Sequence, residues 1–130
     1  MLDTLEIGTR HTVSCTVDEN MSAVRYGNAG FDVLATPALL GLFEECAIGL
    51  LGPYLEAGQG SVGTSARIEH LAATPIGAPV SVEATVEKID KRAISFQLTA
   101  RDDKQLIGRC QHDRFVVDLS RFLSRLNQGQ

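Results

Sequence analysis

Apolar positions in this chain follow two periods. One stretch, from Pro37 to Gly52, repeats as a helix does. On a helical wheel Leu39, Leu40, Phe43, Ala47, Leu50 and Leu51 fill a broad face, and Leu42 and Ile48 make the opposite side apolar too. A helix that is apolar nearly all round belongs in a core. It has a plausible start, with Thr36 as N-cap and Pro37 at the first helical position. Gly52-Pro53 supplies the stop.

The remaining apolar positions alternate in the manner of strands. Thr12 to Val17 sets Val13, Cys15 and Val17 on one face. Ser61 to Leu71 sets Val62, Thr64, Ala66, Ile68 and His70 on one face. Val80 to Ile89 follows, then a face of Ile94, Phe96, Leu98 and Ala100, then a long last strand from Leu106 to Val117. Glu56 to Gly60 and Asp102-Asp103-Lys104 read as turns. Asp18 to Gly30 is polar and reads as loop with a short helical or extended piece. Leu119 to Leu126 predicts a short amphipathic helix, and Asn127 to Gln130 a frayed tail.

Sequential strands joined by tight turns pair antiparallel. The order therefore predicts an α+β fold, a curved antiparallel sheet wrapped around one long helix. A helix apolar all round needs more cover than one sheet face gives, so a homodimer is expected.

At 130 residues the chain reads as a single domain, 1–130. The formal charge of −4, with no dense Lys/Arg cluster, argues against nucleic acid as a partner. Three cysteines (Cys15, Cys46, Cys110) form no CxxC pair, which disfavours a disulfide framework or structural zinc and favours a reducing compartment. The N-terminus carries acids where a secretory signal carries bases, and no apolar run is long enough to cross a bilayer. A soluble cytoplasmic protein with no membrane partner is the expectation.

Four positions carry candidate chemistry. Glu44 lies four residues after Leu40 and three before Ala47, inside the stripe expected to be buried. A buried carboxylate must be paired, hydrogen-bonded or protonated, which makes Glu44 a candidate catalyst. The alternative is a polar seam reaching solvent or an arginine. Thr36 is either a plain cap or a hydroxyl beside the positive end of the helix, where an oxyanion would be stabilised. His70, ending the second strand's face, is either a hydrogen-bonded core residue or a general acid–base. Arg114 shares a strand face with Cys110 and His112; turned inward, it would pair with Glu44 or an anionic ligand. Gly58-Gln59-Gly60 lacks phosphate-loop spacing, and the histidines show no metal-ligand spacing, so no metal is expected.

The pieces A-T-x-x-x-x-G-L-x-E, P-Y-L-E-x-G-x-G-S-x-G-T and H-x-A-A-T-P-x-G occur in that order, from Ala35 to Gly77. In their spacing they resemble the fluoroacetyl-coenzyme A thioesterase group of the hotdog fold. The resemblance implies a hotdog domain and a catalytic set of Thr36, Glu44 and His70. It further implies Gly63 near the acyl group and Arg114 near the site. The family's lid segment carries a phenylalanine where this chain has Gly30, with Phe31 one place off, so a short acyl group other than fluoroacetyl is expected, with Phe31 beside it.

These expectations describe an acyl-CoA thioesterase, with coenzyme A as part of the substrate and no separate cofactor. Glu44 would serve as base on water or as nucleophile, beside the imidazole of His70. The alternative is a non-catalytic acyl-CoA-binding module of the same fold. A helix beginning at Pro37 would separate Thr36 and Glu44 by about 12 Å along its axis. Hence the helix starts later, a ligand bridges the two, or the site is shared between subunits.

Overall fold

The computed structural model describes residues 1–129. One helix, α1 (Thr36–Leu51), lies in the concave face of a five-stranded antiparallel sheet. The strands are β1 (Arg10–Thr16), β2 (Gln59–His70), β3 (Pro79–Asp90), β4 (Ala93–Arg101) and β5 (Leu106–Asp118), in the spatial order β1-β3-β4-β5-β2. This is the hotdog arrangement. The segment expected to be loop holds two short 3-10 turns, Glu19–Met21 and Ala23–Tyr26. A C-terminal helix, α2 (Leu119–Asn127), follows β5 directly, so Asn127 belongs to the helix rather than to a frayed tail; Gln130 lies outside the described residues.

The core forms where α1 meets the sheet. Leu39, Phe43, Cys46, Ala47 and Leu51 are fully buried against Val82, Ala84, Ile94, Phe96, Leu98 and Ile107. Burying a leucine or phenylalanine side chain of this kind contributes about 1.5–3 kcal/mol. Leu42 is buried too, but Ile48 is 48% exposed, so the chain by itself does not cover the whole helix.

Three expectations about α1 are corrected. The N-cap is Ala35, not Thr36; Leu39 N–H donates to the Ala35 carbonyl, and Thr36 is already helical. A later start of the helix is thereby excluded. Glu44 is not sealed in the apolar stripe: its side chain is 43% exposed in the single chain. Leu40, also assigned to the buried face, is only partly covered.

The inner face of β2 is corrected as well. The register against β5 slips between Gly63 and Ser65, so Thr64 is the extra residue of a bulge. Ala66, Ile68 and His70 lie opposite His112, Cys110 and Gly108, whose face points to α1. Beyond the bulge, Gly63 and Ser61 lie opposite the buried Arg114 and Val116. Directly opposed residues share a face, so Gly63 and Ser61 replace Val62 and Thr64 on the inner side.

Candidate active site

The predicted site residues fall into two groups, both set by where α1 crosses β2 and β5. At the start of α1, Thr36 Oγ1 lies 2.8 Å from Nδ1 of His70, the last residue of β2. The hydroxyl therefore does not cap the helix; no side chain does. The other ring nitrogen of His70, Nε2, is buried with no hydrogen-bond partner. Burial pushes the His70 imidazole below its ordinary pKa, partly opposed by the backbone of Ala72, which favours the neutral ring. A neutral imidazole with one nitrogen engaged and one free can take or deliver a proton.

The second group lies two turns further along α1. Glu44 Oε2 receives Nη1 of Arg114 at 3.4 Å. Arg114 is buried, with a side chain only 5% exposed, and the rest of its guanidinium is held firmly. Nε donates to Ser61 Oγ at 2.8 Å and Nη2 to the Ser61 carbonyl at 2.9 Å. Burial pulls its pKa down and the Glu44 carboxylate pulls it back up. The ion pair is thus one charge fixed in the protein and one reaching toward solvent.

His112 completes this group. Its Nδ1 lies 2.8 Å from the Ser65 carbonyl, which can only accept, so Nδ1 carries the proton. Its Nε2 then accepts from Arg114 Nη1 at 3.2 Å, since a guanidinium only donates. Within the chain, the imidazole that shares Arg114 Nη1 with Glu44 is His112. His70, expected beside the carboxylate, pairs with Thr36 instead. Ser61 and His112 were not singled out from sequence as site residues. The available signal was Cys110, His112 and Arg114 at alternate positions of one strand, which puts two polar groups on its buried face.

Gly63 sits over this cluster. A Cβ there would come within 2.9 Å of Glu44 Oε2 and 3.3 Å of Arg114 Nη1 and His112 Cε1, so only glycine leaves the carboxylate its place. Phe31 lies in the segment leading to α1 and is 59% exposed in the single chain. Gly30 before it has a φ of +87°, a left-handed conformation. Among the described residues, no three His, Cys, Asp or Glu side chains are placed to hold a metal ion. None of the described helices is long and apolar enough to cross a membrane.

Residues 17–120 match the family of fluoroacetyl-CoA-specific thioesterases. The chain is similar to the fluoroacetyl-CoA thioesterase of Streptantibioticus cattleyicolor, 37% identical over 97 residues, or 75% of this chain and 70% of that protein. A solved structure of the fluoroacetyl-CoA thioesterase FlK superposes with a TM-score of 0.89 at 31% identity, covering 98% of this chain and 99% of that one. A hot-dog-like protein of Thermanaerovibrio acidaminovorans, 21% identical, superposes with a TM-score of 0.89 over 97% of this chain and 93% of its own, a likeness of fold alone.

Proposed function

The chain belongs to the fluoroacetyl-CoA-specific thioesterase family, and from that membership we propose a short-chain acyl-CoA thioester as its substrate and Thr36, Glu44 and His70 as its catalytic set. It is an acyl-CoA thioesterase. The observation that supports the catalytic set best is the Thr36–His70 pair at the helix start, with a buried, unpartnered Nε2 beside it.

The thioester carbonyl lies at the N-terminus of α1, where orphan backbone N–H groups and the positive end of the helix stabilise an oxyanion. Glu44, ionised beside Arg114, activates water or attacks the carbonyl itself. His70 relays to the departing thiolate a proton that it first takes up from the attacking water, with Thr36 fixing its ring. Coenzyme A enters as part of the substrate, and the reaction as written calls on no separate cofactor.

Within one regular helix, Thr36 and Glu44 are eight residues, about 12 Å, apart along the axis. Two subunits resolve this. β2 is an edge strand with one side unpaired, and it carries both His70 and Gly63. Antiparallel pairing of β2 with a second copy, centred between Ala66 and Arg67, sets His70 beside the partner's Gly63 and hence near the partner's Glu44. The same pairing brings a second copy toward the exposed side of α1. We place this dimer in the cytoplasm, where three free cysteines are compatible with a reducing environment.

The acyl group follows from the lid segment. The left-handed backbone at Gly30 suits glycine and disfavours a phenylalanine, and Phe31 is 59% exposed in the single chain. A site without an aromatic cap accepts acetyl or propionyl as readily as fluoroacetyl. A screen of short acyl-CoA thioesters with a thiol reagent tests this reading. Thiol release is expected, with fluoroacetyl-CoA showing no strong preference. Glu44→Gln is expected to lower turnover by at least about 100-fold while acyl-CoA binding persists. Unchanged hydrolysis in that variant would overturn the site.

A further inference from the structure

We propose that the cleft between α2 and the end of β5 seats the phosphorylated adenosine end of coenzyme A, an inference that rests on the thioesterase reading. The cleft is lined by Arg92, Phe115, Asp118, Arg121, Phe122 and Arg125 and has a volume of about 130 Å³. Ligand-enclosing pockets run to roughly 300–1,000 Å³. This one therefore receives one end of a molecule and leaves the rest outside.

Its chemistry is unlike that of the chain as a whole. The protein carries a net charge of −4, yet three arginines meet one aspartate here. Asp118 Oδ2 lies 3.7 Å from Arg92 Nη1 and 4.0 Å from Arg121 Nη1, so one carboxylate is divided between two guanidinium groups. Both contacts are long and partly exposed, and pairs of that kind hold weakly. A phosphate, offering several acceptor oxygens to guanidinium forks, competes for them easily. Phe115 and Phe122 keep 42% and 36% of their surface exposed in the same cleft. Guanidinium forks beside open aromatic faces suit a phosphorylated nucleoside, whose base stacks while its phosphates are held.

Position ties the cleft to the catalytic groups. Phe115 follows Arg114 on β5 but projects from the opposite, outer face of the sheet, as successive strand residues do, so coenzyme A passes the end of the strand at Asp118 to reach both. From Arg114 to Asp118 the strand advances about 13 Å, a span that the extended pantetheine arm of coenzyme A bridges.

The test compares two thioesters of the same acyl group, one on coenzyme A and one on pantetheine, which lacks the nucleotide. The ratio of kcat/KM values, coenzyme A over pantetheine, is expected to fall about tenfold or more in the R121A/R125A double variant, whose altered side chains lie on the exposed face of α2. Adenosine 3′,5′-bisphosphate is expected to inhibit the wild-type enzyme competitively against acyl-CoA, and far more weakly in the variant. An unchanged ratio overturns the proposal. So does inhibition by inorganic pyrophosphate equal to that by the nucleotide, which would mark a plain anion site. If the wild-type protein cleaves neither thioester, the thioesterase reading is what fails. Calorimetric binding of adenosine 3′,5′-bisphosphate to the wild type and the variant then still decides for or against the cleft.

Discussion

The hydroxyl of Thr36 and the imidazole of His70 meet at 2.8 Å although 34 residues separate them in sequence. A threonine at a helix start would ordinarily cap it. Here the cap position falls on Ala35, which has no side chain to do so, and Thr36 turns to the sheet. An uncapped start costs about 1 kcal/mol, so the threonine already contributes no capping energy that a substitution could remove. Thr36→Ala is therefore expected to change unfolding free energy by less than about 1 kcal/mol while hydrolysis falls by roughly 10- to 100-fold. Chemical denaturation and steady-state kinetics on the same preparation measure both, and a large stability loss with intact turnover would contradict the assignment.

His70 also sets a pH dependence. Its pKa in the folded chain is lowered from 6.5 by burial, so between the two values the unfolded chain binds more protons than the folded one. The stability contributed by the neutral ring is complete above 6.5 and declines as pH falls through the window beneath it. Urea midpoints taken downward from neutral pH should show this decline, and His70→Gln should flatten it. An equal slope in both proteins would mean that another group governs the transition.

Gly63→Ala tests the second group. The added methyl would sit 2.9 Å from Glu44 Oε2. A flexible carboxylate can swing away, so the fold is expected to survive with a loss of about 1–2 kcal/mol. Glu44 would then leave Arg114, and turnover should drop by at least about tenfold. Full activity in Gly63→Ala would show that the carboxylate needs no fixed position.

His112 positions Arg114 by accepting its hydrogen bond, while Ser65 fixes the tautomer. His112→Phe would keep an aromatic ring next to Phe96, whose centroid lies 6.3 Å from that of His112. It would also strip a buried donor from Ser65 and a buried acceptor from Arg114, for an expected loss of about 1–3 kcal/mol. Nitrogen-15 spectra of the wild type should report a neutral ring protonated at Nδ1. A ring protonated at Nε2 would refute the arrangement.

A mixing experiment addresses the shared site. Glu44→Gln and His70→Ala are each expected to be inactive alone. In a mixed dimer one site carries both lesions and the other carries none, so remixing after mild dissociation should restore up to about a quarter of wild-type activity, half of the dimers being mixed and half of their sites intact. No recovery on mixing would place a complete site within each chain.

Much of this was legible in the sequence because the signals were periodic. The apolar run around Phe43 could only be a core helix, and alternation placed all five strands to within a few residues. Arg114 was recognisable as a possible partner of Glu44 because it alternates with Cys110. The face of β2 was not legible. Val62, Thr64 and Ala66 alternate without a break, yet the backbone inserts Thr64 as a bulge and turns Gly63 and Ser61 inward. Such an insertion is set by the fit to β5, which leaves no local mark. The exposure of Glu44 was hidden for a similar reason. A helical wheel gives the direction of a side chain, whereas the cover over it depends on how far the sheet, or a second chain, extends.

The backbone at residue 30 has a bearing on how selectivity for fluorinated substrates could arise in this lineage. Its positive φ means that exchanging one codon for phenylalanine would strain the loop instead of installing a lid. An engineer, or evolution, would have to rebuild the turn around Asn28 and Gly30 first and add the aromatic ring second. The two changes in the reverse order would meet a destabilised intermediate.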